Sequence, residues 1–212
     1  MTPSPLSARI LDRAQRAGLS IEPADLEKLE RYYLLLQRWN STINLTGLPL
    51  ANYPDATLDR LVIEPLLAAS DVADSPLNWI DFGSGGGSPA VPLKIVRPQA
   101  ALTMVEAKAR KAAFLREITS TLALSATTVL TSRVEDLGST ELRGMADVVT
   151  VRAVKVDDLF LGSVAAVLKL GGRLIIFRSR MPLVFNDFRF VSVAEAALEP
   201  LQAGLTILEK RA

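Results

Sequence analysis

From Asn78 onward the sequence alternates short apolar runs with amphipathic ones, and this alternation constrains the fold more than any other feature. "NWIDF" (78–82) reads as an apolar strand that runs into glycines, and "SPAVPLKIV" starts a helix with Pro89 near its first turn. "ALTMVEA" is a second strand, "KARKAAFLREITSTLAL" a strong helix, "TTVLTS" a third strand and "ADVVTVRA" a fourth. A helix follows over about 157–169, Gly171 and Gly172 close it, and "RLIIFRS" is a fifth strand. Such alternation predicts a parallel sheet with helices on both faces. The tail adds "FRFVSV" and "LTILEK", close enough to pair antiparallel.

The first 77 residues have a different grammar. Residues 6–17 and 23–40 read as helices; in the second, Leu26, Leu29, Tyr33 and Leu36 recur at helical spacing and Pro23 suits the first turn. "NSTINLTG" (40–47) is loop-like, and a third helix covers about 56–70 with Pro65 interrupting it. The expected division is therefore a helical segment, 1–77, packed on a core domain, 78–212. No apolar run is long enough to span a membrane, and the N-terminus lacks the apolar region of a signal peptide. With no cysteine either, the expectation is a cytoplasmic protein.

The chain has no His and no Cys, which excludes a Ser-His-Asp triad, a cysteine nucleophile and an ordinary structural zinc site. No metal is expected, and the chemistry falls mostly to a bound cofactor. The 7 basic and 10 acidic residues before Asn78 become 17 and 13 from there on, a weak hint of an anionic ligand in the second part.

In an open α/β sheet, ligands bind outside the carboxyl ends of the strands, near the switch in strand order. "DFGSGGGS" (81–88) would lie there, bringing Gly83, Ser84, Gly85, Gly87 and Ser88 to the cofactor. The dinucleotide fingerprint G-x-G-x-x-G needs glycine at 88, where this chain has Ser88. That departure weighs against a nicotinamide-dependent oxidoreductase and favours S-adenosylmethionine, which carries no phosphate; a glycine-rich turn without a ligand is the plain alternative. Glu106, at the end of the second strand, can accept both ribose hydroxyls of an adenosine, or be a solvated strand end. Val134 and Glu135 in "SRVEDL" can flank and hydrogen-bond the adenine, or belong to a solvated loop. Arg152, Lys155, Arg178 and Arg180 fall near the ends of strands four and five. There they would line the rim for a phosphate-bearing substrate or be solvated. Lys108, Arg110, Lys111 and Arg116 add a basic helix face.

Five parallel strands with a terminal hairpin is the usual build of class I S-adenosylmethionine methyltransferases. The expected fold class is thus α/β: a Rossmann-like, mostly parallel sheet with a C-terminal antiparallel hairpin, preceded by an N-terminal helical segment. The fourth strand carries "VRAV" and not an Asn/Asp-Pro-Pro-aromatic loop, which disfavours methylation of an exocyclic amine. The lack of cysteine disfavours methylation of a pyrimidine at C5. The seven-position nitrogen of guanine has an in-plane lone pair, so its methylation needs alignment and no general base.

"RWNSTINLTG", "IDFGSGGGSPAVPLKIVRPQ", "VEAKARKAAFLREI", "SRVEDL" and "DVVTVRAV" together resemble the segments of the RsmG (GidB) family, in order, from about Tyr33 to Leu174. The resemblance implies S-adenosylmethionine-dependent methylation of a guanine at its seven-position nitrogen in 16S rRNA. The partner would be 16S rRNA or the precursor small ribosomal subunit, and the protein a monomer. By motif, the family's cofactor contacts fall on Gly83, Ser88, Val134, Glu135 and Arg152, and Arg152 and Arg178 are the candidates for positioning the cofactor end or the nucleotide phosphate. After "NLTG" the family usually has Arg-His-x-x-Asp-Ser; here Leu61, Glu64 and Pro65 stand for the His, Asp and Ser. The Leu-Lys-Gly after strand five reads Phe177-Arg178-Ser179. These changes lie on the substrate side, so a retargeted enzyme or a non-catalytic RNA-binding or assembly factor with the same fold is the alternative.

Overall fold

The computed structural model describes residues 3–179, 187–198, 201 and 203–211. The apolar runs form β1 (Asn78–Phe82), β2 (Ala101–Val105), β3 (Thr127–Leu130), β4 (Ala146–Arg152) and β5 (Leu168–Ser179). The tail gives β6 (Phe190–Ala197) and β7 (Ala203–Lys210). All seven join one sheet in the order β3-β2-β1-β4-β5-β7-β6. The first five are parallel neighbours, while β7 runs antiparallel to both β5 and β6. The strand order reverses between β1 and β4, so the loops leaving their carboxyl ends part there and open a crevice.

Strand alternation sends Trp79 and Asp81 to one face and Ile80 and Phe82 to the other. The first face carries α1 (Pro5–Arg16), α2 (Pro23–Asn40), α5 (Ala90–Val96) and α6 (Ala109–Thr121). Leu6, Ile10, Tyr32 and Leu36 there share a core with Trp79, Met104, Ile175 and Leu205. The second face packs Ile80, Phe82, Val149 and Ile176 against Phe160 and Val164 of α7 (Asp158–Val167). Among the described residues no helix is long and apolar enough to cross a membrane.

One local expectation is corrected and another is given its form. Gly171 and Gly172 do not close a helix: α7 stops at Val167, and Leu168 is already extended. The glycines sit where the β4–β5 register jumps from Ala146↔Leu168 to Val148↔Arg173. Gly171 has φ +73°, and a Cβ on Gly172 would lie 2.9 Å from the Lys169 carbonyl and 3.0 Å from that of Ala146, so the looped-out segment needs both. The third helix is helical over 55–71 but changes pitch before Pro65. It comprises α3 (Asp55–Leu58), a π turn over Asp59–Ile63, α4 (Glu64–Leu67) and a 3-10 turn over Ala68–Asp71. Pro65 has no N–H for the Leu61 carbonyl. The Glu64 N–H bonds instead to Asp59, five residues back, so the Arg60 carbonyl has no α-helical acceptor role either.

Candidate functional site: a cleft between the glycine turn and the end of β4

The glycine turn leaves β1 with Gly83, Gly85 and Gly87 at positive φ (+70°, +49° and +85°). Its glycines serve two purposes. A Cβ on Gly87 would meet Val91 Cγ2 at 2.9 Å and the Tyr32 ring at 3.3 Å, and one on Gly86 would meet Leu36 and the Leu45 carbonyl, both at 3.3 Å. The Tyr32 hydroxyl also donates to the Gly86 carbonyl at 2.8 Å. For these two glycines the close neighbours are the protein's own chain, the N-terminal segment for Gly86 and both α5 and Tyr32 for Gly87. Gly85 differs: a Cβ there would meet only the Gly83 carbonyl, at 3.5 Å, leaving its backbone open for a ligand.

That open side faces a cleft of about 360 Å³, bordered by Gly83, Ser84, Gly85 and Ser88 from the turn and Arg152, Ala153 and Val154 after β4. Gly86 of the glycine turn, Arg60 and Leu61 of the π turn, Leu36 of α2, the loop residues Leu45, Thr46 and Leu48, and Lys111 of α6 complete it. Its volume falls within the roughly 300–1,000 Å³ usual for small-molecule sites.

Arg152 is held from every side. Its Nη2 donates to Glu64 Oε2 at 2.9 Å, and its Nη1 to Ser88 Oγ at 3.1 Å and to the Arg60 carbonyl. The guanidinium carbon lies 4.7 Å from the centre of the Phe177 ring. The carbonyls freed by the π turn are therefore reused, Arg60's by Arg152 and Leu61's by the Ser88 hydroxyl at 2.9 Å. Arg152 and Glu64 side chains are only 8% and 7% exposed. Burial pulls Arg152 down to about 10 even though Glu64 opposes it. Burial likewise raises Glu64, against the charges of Arg152 and Arg60. Arg152 Nε is buried without a hydrogen-bond partner. Beneath the turn, Trp79 Nε1 donates to Thr150 Oγ1 at 2.8 Å and Thr150 Oγ1 to Asp81 Oδ1 at 2.5 Å. Burial pushes this carboxyl up to about 6.

Glu106 is buried at the carboxyl end of β2, accepting from the Gly85 N–H at 3.0 Å through one oxygen and from the Lys108 N–H at 2.8 Å through the other. Each oxygen keeps a further acceptor site. Val134 and Glu135 begin a 3-10 turn after β3, with Val134 half-buried and Glu135 exposed; neither borders the cleft. Gly87 faces α5 and Tyr32. Arg178 points along the sheet, donating to Thr206 Oγ1 at 2.6 Å and pairing with Glu195 at 3.5 Å, outside the cleft. Lys155 is exposed and pairs with Asp157, and Arg180 lies outside the described residues. Sequence reasoning overlooked Tyr32 and Thr150, placed Lys111 only on a basic helix face and marked Phe177 only as a departure after strand five. Helical spacing marks Tyr32 only as core, and no local pattern ties Phe177 to Arg152 across the sheet.

A parallel sheet with this strand order, an antiparallel β7 and a glycine turn opening on the switch crevice define the fold of the class I S-adenosylmethionine-dependent methyltransferases. Solved structures agree on the fold. A SAM-dependent methyltransferase from Aquifex aeolicus matches with a TM-score of 0.58 at 12% identity, over 73% of this chain and 93% of that one. MtNAS in complex with S-adenosylmethionine matches with 0.56 at 14%, over 97% and 73%. The model of the family "rRNA small subunit methyltransferase G" matches residues 25–184, and the chain belongs to that family. Relatives named ribosomal RNA small subunit methyltransferase G include those of Roseiflexus sp. (38% identity over 68% of this chain and 61% of the relative) and Chloroflexus aggregans (36%, 78% and 68%). That of Caldanaerobacter subterraneus is 30% identical over 91% of this chain and 78% of the relative. The match to the Roseiflexus protein thus spans about three fifths of that relative's length.

The cleft fits the cofactor of this class. The side of Gly85 left open by its missing Cβ, and the spare acceptor sites of Glu106, whose carboxylate accepts from the Gly85 N–H without itself bordering the cleft, leave room and acceptors for an adenosine.

Proposed function

We propose that the protein transfers the methyl group of S-adenosylmethionine to the seven-position nitrogen of a guanine in 16S rRNA, acting as a monomer on the rRNA or the small ribosomal subunit. One observation carries the choice of acceptor: the carboxylates around the cleft are already engaged. Glu64 is bound to Arg152 and Arg60, Asp81 to Thr150, and Glu106 to two backbone amides. Such a site aligns groups and has no carboxylate set to remove a proton, which suits an acceptor with a lone pair ready in the ring plane.

Gly83, Ser84, Gly85, Gly87 and Ser88 would form the turn around the cofactor, Glu106 would accept its ribose hydroxyls, and Val134 and Glu135 would flank its adenine. When bound, S-adenosylmethionine supplies an electrophilic methyl group that needs no proton transfer to be accepted by a ring nitrogen. Arg152, fixed by Glu64, Ser88 and Phe177, would present its cationic edge to the amino-acid end of the cofactor. Arg178 would act from β5 on the nucleotide phosphate.

The test is transfer of tritiated methyl from S-adenosylmethionine to small subunits and naked rRNA from a strain lacking the enzyme, followed by mapping of the modified base. Label on a guanine at its seven-position nitrogen is the expected result. Cofactor binding with no transfer to either substrate would overturn it in favour of a non-catalytic RNA-binding or assembly role.

A further inference from the structure

At the opposite end of the sheet, four cations border a cavity of about 440 Å³: Arg143 just before β4, Arg189 just before β6, and Lys210 and Arg211 at the end of β7. Because β4 runs from this cavity to Arg152, the two sites are separated by the length of a seven-residue strand, roughly 20 Å at about 3.3 Å per residue. The topology brings the cations together. Antiparallel β7 ends beside the start of β5, and the Arg211 N–H bonds to the Arg189 carbonyl at 2.9 Å.

Their charges are only partly answered. Arg189 is taken by Asp187, with Nε 2.9 Å from Oδ1, and its guanidinium lies against Gly162, where a Cβ would meet Nη1 at 3.1 Å. Lys210 Nζ donates to the carbonyls of Ala165 and Leu168 at 2.7 and 2.8 Å, at the C-terminal end of α7. Burial and the nearby charge of Arg143 both hold Lys210 below its ordinary value. Arg143 and Arg211 are exposed, and among the described residues neither makes an ion pair. On the same rim stands Phe188, 88% exposed, its ring centre 5.9 Å from the Arg189 guanidinium. A bare aromatic face among under-neutralised cations is the combination that holds single-stranded nucleic acid, phosphates on the cations and a base on the ring.

We propose that this cavity is a second RNA-binding site, in which Arg143, Arg211 and Lys210 receive backbone phosphates and Phe188 stacks an unpaired base. The assignment of RNA rests on the rRNA methyltransferase reading; the cluster itself does not. Its role is to anchor substrate at a distance from the cleft, so it sets RNA affinity and leaves the cofactor alone.

The experiment measures binding of a short fluorescein-labelled single-stranded RNA by anisotropy across a salt series, beside a duplex RNA and polyglutamate as competitors. Arg143→Gln with Arg211→Gln should weaken single-strand binding roughly tenfold and lower the salt slope by about 1.4. Phe188→Ala alone should weaken it roughly five- to a hundredfold with little change in slope. S-adenosylhomocysteine affinity should stay as in the unsubstituted protein, which also reports an intact fold. Unchanged RNA affinity in both variants would overturn the proposal. Competition by polyglutamate equal to that by RNA would overturn it too, marking the cavity as a surface for an acidic protein. Binding needs no turnover, so failure of the methyl-transfer reading shows separately, as absent transfer by the unsubstituted protein.

Discussion

The two ends of the sheet treat charge in opposite ways. At the carboxyl end, Arg152 and Glu64 are almost wholly buried and each is the other's partner. At the amino end, Arg143 and Arg211 stand in solvent on the rim of a cavity, and Asp187 beside it is already committed to Arg189. Burying a charge is tolerated only with a partner and hydrogen bonds around it, so the cleft must be assembled before any ligand arrives. An exposed cation carries little desolvation cost and can wait for a mobile polyanion. The first arrangement fixes geometry, while the second supplies attraction and adapts to its partner.

The largest expected effect tests that contrast directly. Arg152→Met should cost about 3–5 kcal/mol in urea unfolding, because it leaves Glu64 buried without its main partner. Adding Glu64→Gln should recover part of the loss. A cost below about 1 kcal/mol would mean that the pair is not the keystone of the cleft.

Asp81 gives an effect of opposite sign. Its carboxyl, pushed up to about 6 by burial, keeps a proton over a range where the unfolded chain has lost its own. Folding stability due to this group therefore falls as the pH rises from about 4 to about 6 and is flat above. Asp81→Asn should grow more stable relative to the unsubstituted protein over that window, by up to about 3 kcal/mol. Thermal unfolding at pH 4, 5, 6 and 7 checks it, and a constant difference across the series would show that Asp81 stays ionised in the fold.

Glu106→Ala should lower S-adenosylhomocysteine affinity about ten- to a hundredfold by calorimetry, through the lost acceptor and the released Gly85 N–H. Unchanged affinity would remove Glu106 from the site. The smallest effect belongs to the far end, where Arg143→Gln should alter unfolding stability by less than about 0.5 kcal/mol, since it removes no buried contact. A larger loss there would erase the distinction between a built cleft and an open basic surface.

Much of this was legible in the chain. The alternation from Asn78 to Ser179 gave the parallel strands because apolar runs buried on both faces have few other solutions. The glycine turn was readable too, although half of its meaning was not. Gly83 and Gly85 border the cleft, whereas Gly86, also on its wall, admits Leu36 and Leu45, and Gly87 admits Val91 and Tyr32; all but Val91 come from a segment more than forty positions earlier. Pro65 announced an interruption, but its consequence, the freeing of two carbonyls for Arg152 and Ser88, required the strands to be in place.

The sequence by itself determined what is local: strand and helix periods, the turn that only glycine can make, the absence of His and Cys, and family membership through ordered motifs. Tertiary structure decided which charges meet. Glu64 and Arg152 are 88 positions apart, and the cations of the far cavity come from three separate strand ends. Neighbours along a chain are set by covalent geometry, but ion pairs and stacked rings depend on which elements the sheet order brings side by side. That order is fixed by burial of both faces together, which no single stretch of sequence contains.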